Sequence, residues 1–259
     1  STMSVSFSDS NNHWAKDSIL QLAQREIIQG YPDGSFRPDR AVTRAEFAAF
    51  LYAAFSERET VHAPIQFEDV SDTHWAFKAI QIASQAGFVA GYPERLFKPD
   101  LPISRGQAIA AIASGLHYPI PEQPGTLLAQ YFDDAQEISD YATSTIAAAT
   151  QQRLVVNYPQ IRQLRPNHSL TRGELAALLC RALRIYSVPD AYIVPAPPSA
   201  TDPDSSIIIS PQFSRIENYS EGLIRVLGEK SGFMEAKVQW AILLQSSQFP
   251  STNFSEGLA

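Results

Sequence analysis

Disulfide chemistry is closed to this chain by itself, because Cys180 is its one cysteine. That cysteine follows Leu178 and Leu179, a setting that marks a buried thiol, the usual fate of a free cysteine. Long apolar runs are missing too. No stretch approaches the roughly 18 consecutive apolar residues of a membrane span, so membrane insertion is not expected. Basic charge is in short supply: 20 Lys and Arg face 27 Asp and Glu, a net charge of -7. That balance argues against nucleic-acid binding, which leaves a basic footprint. The histidines His13, His62, His74, His117 and His168 form no metal-ligand spacing with Cys180. No metal or cofactor is expected, and no catalytic constellation is legible. The first residues, Ser1-Thr2-Met3-Ser4-Val5, lack the basic-then-apolar pattern of a secretory signal.

Against these absences stands one motif that occurs three times. Val42-Thr43-Arg44-Ala45-Glu46 returns as Ile103-Ser104-Arg105-Gly106-Gln107 and as Leu170-Thr171-Arg172-Gly173-Glu174. The arginines are 61 and then 67 residues apart. Upstream, Gly30-Tyr31-Pro32-Asp33-Gly34-Ser35-Phe36-Arg37-Pro38-Asp39 is echoed by Gly91-Tyr92-Pro93-Glu94-Arg95-Leu96-Phe97-Lys98-Pro99-Asp100. A decayed third copy runs from Asn157-Tyr158-Pro159 to Leu164-Arg165-Pro166-Asn167. Earlier in each unit come His13-Trp14-Ala15, His74-Trp75-Ala76 and Tyr141-Ala142. Each unit opens with Phe-x-Asp, at Phe7-Ser8-Asp9, Phe67-Glu68-Asp69 and Phe132-Asp133-Asp134. A repeated arginine in a repeated context points to a repeat-built binding module. An enzyme normally needs one asymmetric constellation instead, so catalysis is not expected.

Each unit reads as helix, turn-rich loop, helix. Phe47, Phe50, Leu51 and Ala54 follow the spacing of a buried helix face, and Leu175, Leu178, Leu179 and Ala182 repeat it. A lone helical hairpin cannot bury such a face, but three can do so together. The expected fold is therefore mainly α. Repeats are placed at residues 5–60, 61–124 and 125–186. Six prolines between Ser187 and Pro211 give residues 187–211 linker composition. The tail, 212–259, reads as two short helices, from Ser214 to Lys230 and from Phe233 to Ser246.

The ends of the motif have a structural explanation. Thr43 with Glu46, Ser104 with Gln107 and Thr171 with Glu174 each spell a capping box, which starts a helix. The arginine between them is not needed for capping, and it sits where the helix dipole is positive. A guanidinium fork beside free helix amides suits a carboxylate or phosphate. A salt bridge between repeats, to Asp33, Asp39 or Asp100, is the alternative. Tyr31 and Tyr92 offer flat faces that suit sugar rings or core packing. Trp14 and Trp75 read as core or groove wall. Gly30 and Gly91 provide left-handed backbone or let a ligand approach the main chain.

These residues resemble the S-layer homology family. The likeness rests on Phe-x-Asp, Trp-Ala, Gly-Tyr-Pro-Asp-Gly-Ser-Phe-Arg-Pro-Asp and Thr-Arg-Ala-Glu, and it covers about two thirds of the chain. It looks most like the versions in cyanobacteria and other bacteria with unusual envelopes. The resemblance implies a pseudo-threefold arrangement around a central three-helix bundle, with ligand grooves between neighbouring prongs. It also implies non-covalent anchoring of a surface or envelope protein to a peptidoglycan-linked cell-wall polysaccharide, often pyruvylated. Arg44, Arg105 and Arg172 would then pair with the pyruvate carboxylate, with Gly30-Tyr31 and Gly91-Tyr92 lining grooves. Asp33, Trp14 and Trp75 complete the candidate ligand-binding set. Departures in unit three, Asn157 for glycine and Tyr141 for tryptophan, imply unequal grooves, with those around units one and two ahead. The expected setting is the cell envelope and the expected state a monomeric module. The alternatives are a targeting part of a wall-processing enzyme or a protein-interaction scaffold.

Overall fold

A computed structural model describes residues 5–195 and three strands of the tail, at 213–218, 223–228 and 232–235. The chain divides into two units, Ser1–Ala196 and Pro197–Ala259. The first unit is mainly α. Its helices are α1 (Lys16–Gln24), α2 (Arg44–Phe55), α3 (Phe77–Gln85), α4 (Arg105–Gly115), α5 (Pro124–Tyr131), α6 (Asp140–Gln151) and α7 (Arg172–Ala182).

The two helices of one repeat do not chiefly pack on each other. Instead α2 packs on α3, α4 on α6 and α7 on α1, so each repeat's second helix lies against the first helix of the next. The third repeat closes back on the first. Ile19 and Leu22 of α1 are buried, as are Leu175, Leu178, Leu179 and Cys180 of α7. Burial raises the Cys180 thiol pKa above its ordinary value. α5, which no sequence pattern announced, packs on α6.

Closure is also carried by the backbone. The Val42 amide donates to the Leu170 carbonyl, Leu170 to Ile103, and Ile103 to Val42, each at 2.9 Å. These three residues occupy the same motif position, and their bonds form a closed ring.

The hydroxyls of Thr43, Ser104 and Thr171 cap α2, α4 and α7, and Gln107 and Glu174 complete their boxes. Glu46 does not make the expected bond back to the Thr43 amide. Arg40 draws its carboxylate away through hydrogen bonds of 3.0 and 3.1 Å. Nor are the helix amides free, as the motif had suggested. The Arg44, Arg105 and Arg172 amides donate to the carbonyls of Leu101, His168 and Arg40. The next amides, of Ala45, Gly106 and Gly173, donate to Pro99, Pro166 and Pro38. The orphan donors of each helix start thus stitch one repeat to the next, and an anion finds none of them open.

The Phe-x-Asp openings buckle the loops. Asp9 accepts from the Phe36 and Arg37 amides, Asp69 from Phe97 and Lys98, and Asp134 from Leu164 and Arg165. At the clamped cationic position, Arg37, Lys98 and Arg165 take left-handed backbone, with φ of 57°, 57° and 52°. Gly30 and Gly91 do not need that conformation. A Cβ there would lie 2.3 Å from the Phe7 ring and 2.5 Å from the Phe67 ring, so these glycines make room for an aromatic of their own repeat.

Residues 187–195 are folded, although their composition suggested linker. Val188, Ile193 and Val194 are buried. The Asn157 amide donates to Tyr192 at 2.8 Å and the Val194 amide to Val155 at 2.9 Å. Apolar side chains between Pro189 and Pro195 dock this segment on the third repeat despite its proline content. The rest of the expected linker, 196–211, lies outside the described residues.

The second unit corrects the expectation of a helical tail. β1 (Phe213–Asn218), β2 (Leu223–Gly228) and β3 (Gly232–Glu235) form an antiparallel meander in the order β1-β2-β3. Ile216 pairs with Val226 and Ile224 with Met234. Short apolar runs carry no decisive period. Here Gly222, Gly228 and Gly232 punctuate them, and Ile216, Ile224 and Val226 favour strand. The remainder of the second expected helix, 236–246, lies outside the described residues.

Candidate functional site

Each motif arginine leaves its own repeat and enters the loop of the next. Arg44 donates from Nε to Phe97 O and from Nη2 to Ala90 O, both at 2.8 Å. Arg172 donates likewise to Phe36 O at 2.9 Å and Gln29 O at 2.7 Å. Arg105 donates to Leu164 O at 2.8 Å and Val156 O at 3.1 Å. Arg44, Arg172 and Arg105 are 6%, 6% and 0% exposed, respectively. Burial lowers all three guanidinium pKa values from the ordinary arginine value, and at Arg105 the Glu174 charge opposes that effect. The carbonyl bonds fix each fork and leave Nη1 for another partner. What Nη1 meets separates the three grooves.

In the groove between repeats one and two, the Arg44 guanidinium lies 4.8 Å from the Tyr92 ring centre and 4.6 Å from that of Phe97. Lys98 Nζ sits 4.4 Å from the Tyr92 ring centre. Gln107 donates to the Tyr92 hydroxyl at 3.0 Å. Arg44, Gly91, Tyr92, Gln107 and Tyr141 line a cavity of about 680 Å³. Among the described residues, no carboxylate lies within 4.0 Å of Arg44.

In the groove between repeats three and one, Arg172 faces Tyr31, Phe36 and Phe50 at 5.0, 4.4 and 5.5 Å. Arg37 lies 3.8 Å over the Tyr31 ring. Arg40 donates to the Tyr31 hydroxyl at 2.8 Å while holding Glu46. Arg172 also has no carboxylate within 4.0 Å among the described residues. Asp33 belongs to the turn. It accepts from the Ser35 hydroxyl and amide and pairs with Arg37, which together hold its carboxyl down at about 2.

The groove between repeats two and three is filled by the chain itself. Asn157 Oδ1 accepts from Arg105 Nη2 at 2.7 Å. Glu174 Oε1 lies 3.2 Å from Arg105 Nη1 and 2.8 Å from Arg165 Nη2. Trp14 stacks on Tyr158 at 4.9 Å and 12°, and Tyr192 meets both rings edge-on. The expected alternative, salt bridges to Asp33, Asp39 or Asp100, does not form at any of the three arginines. Asp39 instead accepts from His13 at 2.9 Å.

The sequence-derived residues are therefore divided among three places. Arg44, Gly91 and Tyr92 meet in one open groove, and Arg172 and Tyr31 in another. Arg105 and Trp14 belong to the filled one. Trp75 is 66% exposed beside His74. Sequence reasoning assigns Gln107 to capping alone and passes over Lys98, Arg40 and Tyr192. A signal for two of them exists. Gln107 stands where the other copies have glutamate, and Arg40 stands where they have Leu101 and His168.

Cyclically interlocked repeats, with aromatic-flanked cationic grooves at their boundaries, define a repeat-built binding module. The S-layer homology domain pattern matches at residues 6–48, 66–109 and 131–176, and the chain belongs to that family. It is similar to the exoglucanase XynX of Acetivibrio thermocellus, 30% identical over 68% of this chain and 16% of that protein. It is also similar to cell surface glycoprotein 1 of that organism, 33% identical over 61% of this chain and 7% of that protein. The cellulosome-anchoring protein of A. thermocellus is 34% identical over 44% of this chain and 26% of its own length. The chain thus spans about a quarter or less of these relatives. Among the described residues, no helix is long and apolar enough to cross a membrane.

Proposed function

We propose that this chain is a non-catalytic anchor that holds a surface or envelope protein to peptidoglycan-linked acidic polysaccharide. The observation that carries the reading is a pair of buried arginines, Arg44 and Arg172, with no carboxylate within 4.0 Å among the described residues. A buried cation without a counter-charge is unfavourable unless something completes it. A carboxylate on a sugar, such as a pyruvyl group, supplies that charge. Tyr92 and Tyr31 then offer ring faces beside it. Relatives named as a cellulosome-anchoring protein, an S-layer protein and a middle cell wall protein favour this role at the cell envelope. Relatives named as an exoglucanase and an amylopullulanase fit the same role, with anchoring modules joined to catalytic ones.

The test is capture of the chain by purified envelope polysaccharide. Exchanging both Arg44 and Arg172 for Gln should weaken capture by about a hundredfold, since bonds to charged groups are each worth about 1.5–3 kcal/mol. Undiminished capture by a folded double variant would reject the arginine mechanism. Release of sugars from isolated sacculi would reject the non-catalytic assignment.

A further inference from the structure

We infer that the third residue of each second helix decides, across the repeat boundary, whether the arginine facing it is available to an acidic ligand. The inference rests on the anion-binding reading of the grooves. The same arginine, on the same kind of carbonyl perch, occurs three times, and three different solutions face it. Glu174 brings a carboxylate to 3.2 Å from Arg105 and fills the place a ligand carboxylate would take. Gln107 faces the groove of Arg44 with a neutral amide that is tied to Tyr92. Glu46 belongs to the groove of Arg172 but is held in a two-bond pair by Arg40. Arg40 has Leu101 and His168 at its counterpart positions, and Glu174 is held instead by Arg165 at 2.8 Å, which leaves the same oxygen within reach of Arg105.

This position can change charge without losing its capping role. Glutamine at 107 and glutamate at 174 both close a capping box, so exchanging one for the other leaves the helix start intact. In a buried groove, an internal carboxylate and a ligand carboxylate compete for one guanidinium. The consequence is two acid-accepting grooves per chain. The one holding Arg44, Lys98 and neutral Gln107 ranks above the one where Glu46 stays nearby.

The experiment follows the Nε–Hε signals of Arg44, Arg105 and Arg172 in the full chain by NMR during titration with pyruvate, the small carboxylate alone. In the unaltered protein, Arg44 and Arg172 should respond and Arg105 should not. Gln107→Glu should weaken the Arg44 response by about tenfold or more, as expected when a charge-assisted contact is taken internally, and leave Arg172 unchanged. Arg40→Leu should weaken the Arg172 response. The pair Glu174→Gln with Asn157→Gly should give Arg105 a response, and if that pair does not fold, Gln107→Glu decides alone. An Arg44 that ignores pyruvate, an Arg105 that responds as strongly as Arg44, or a Gln107→Glu chain that behaves like the parent would overturn the inference. Pyruvate responses of the expected pattern without polysaccharide capture would reject anchoring and keep the gate. Capture with an inert Gln107→Glu exchange would do the reverse.

Discussion

The groove between repeats one and two and the groove between repeats two and three start from the same motif and end as opposites. In the first, Gly91 and Arg44 line an open cavity, and Gln107 brings Arg44 no charge. In the second, Asn157 accepts from Arg105 and the Glu174 carboxylate neutralises it, while Trp14, Tyr158 and Tyr192 pack against one another beside them. The difference teaches that the arginine is first a strut between repeats and only second a receptor. All three arginines bond two carbonyls of the next repeat. Only two keep charge to offer.

The sharpest way to break this comparison is at Glu174. Changing it to Ala leaves Arg105 as a buried, unpaired cation, and denaturant unfolding should show a loss of about 3–5 kcal/mol. Gln107→Ala, in the open groove, should cost about 1 kcal/mol, the worth of a cap partner. Equal losses would erase the distinction between the grooves.

Next in size is Gly30→Ala. Its Cβ would meet the Phe7 ring at 2.3 Å and the Ser35 carbonyl at 2.7 Å, and overpacking of this kind costs about 1–3 kcal/mol. The third copy carries Asn157 at this place, so Asn157→Gly should instead loosen the filled groove, visible as faster exchange of the Arg105 side-chain protons.

A smaller effect is expected from Arg44→Lys. It keeps a charge but loses the fork, so polysaccharide affinity should fall by about tenfold, with the unfolding midpoint shifted by less than that of Glu174→Ala. The smallest effect concerns acid. The Asp33 carboxyl is lowered from 3.8 to about 2 by Ser35 and Arg37. Its contribution is therefore complete above pH 3.8 and is lost as pH falls toward about 2. Following the Ser35 amide by NMR across that range should show the turn opening. In Asp33→Asn the transition should be absent.

Much of the fold is legible in the sequence. The capping residues and the buried stripe of Leu175, Leu178 and Leu179 follow from spacing, because a helix start and a helix face are local properties. The three copies announce a composite core. Partner choice among the helices is not legible. Periodicity says which face is buried but not against what, so the pairing of α2 with α3 rather than with α1 emerges only in three dimensions. The tail misleads because its apolar runs are too short to carry a period. Residues 187–195 mislead because proline content masks Val188, Ile193 and Val194.

At the site, sequence alone determined that three arginines stand in one repeated context, that the third loop has decayed at Asn157, and that residue 107 is Gln where its counterparts are Glu. Tertiary structure decided what those facts mean together. The decay was expected to weaken the grooves of unit three. In the structure the decayed Asn157 of unit three meets Arg105 of unit two in the filled groove, while Arg172 of unit three reaches the loop of unit one. The reason is geometric. Each arginine is long enough to cross a repeat boundary, so every groove combines one repeat's cation with the next repeat's loop. No reading of a single repeat contains that combination.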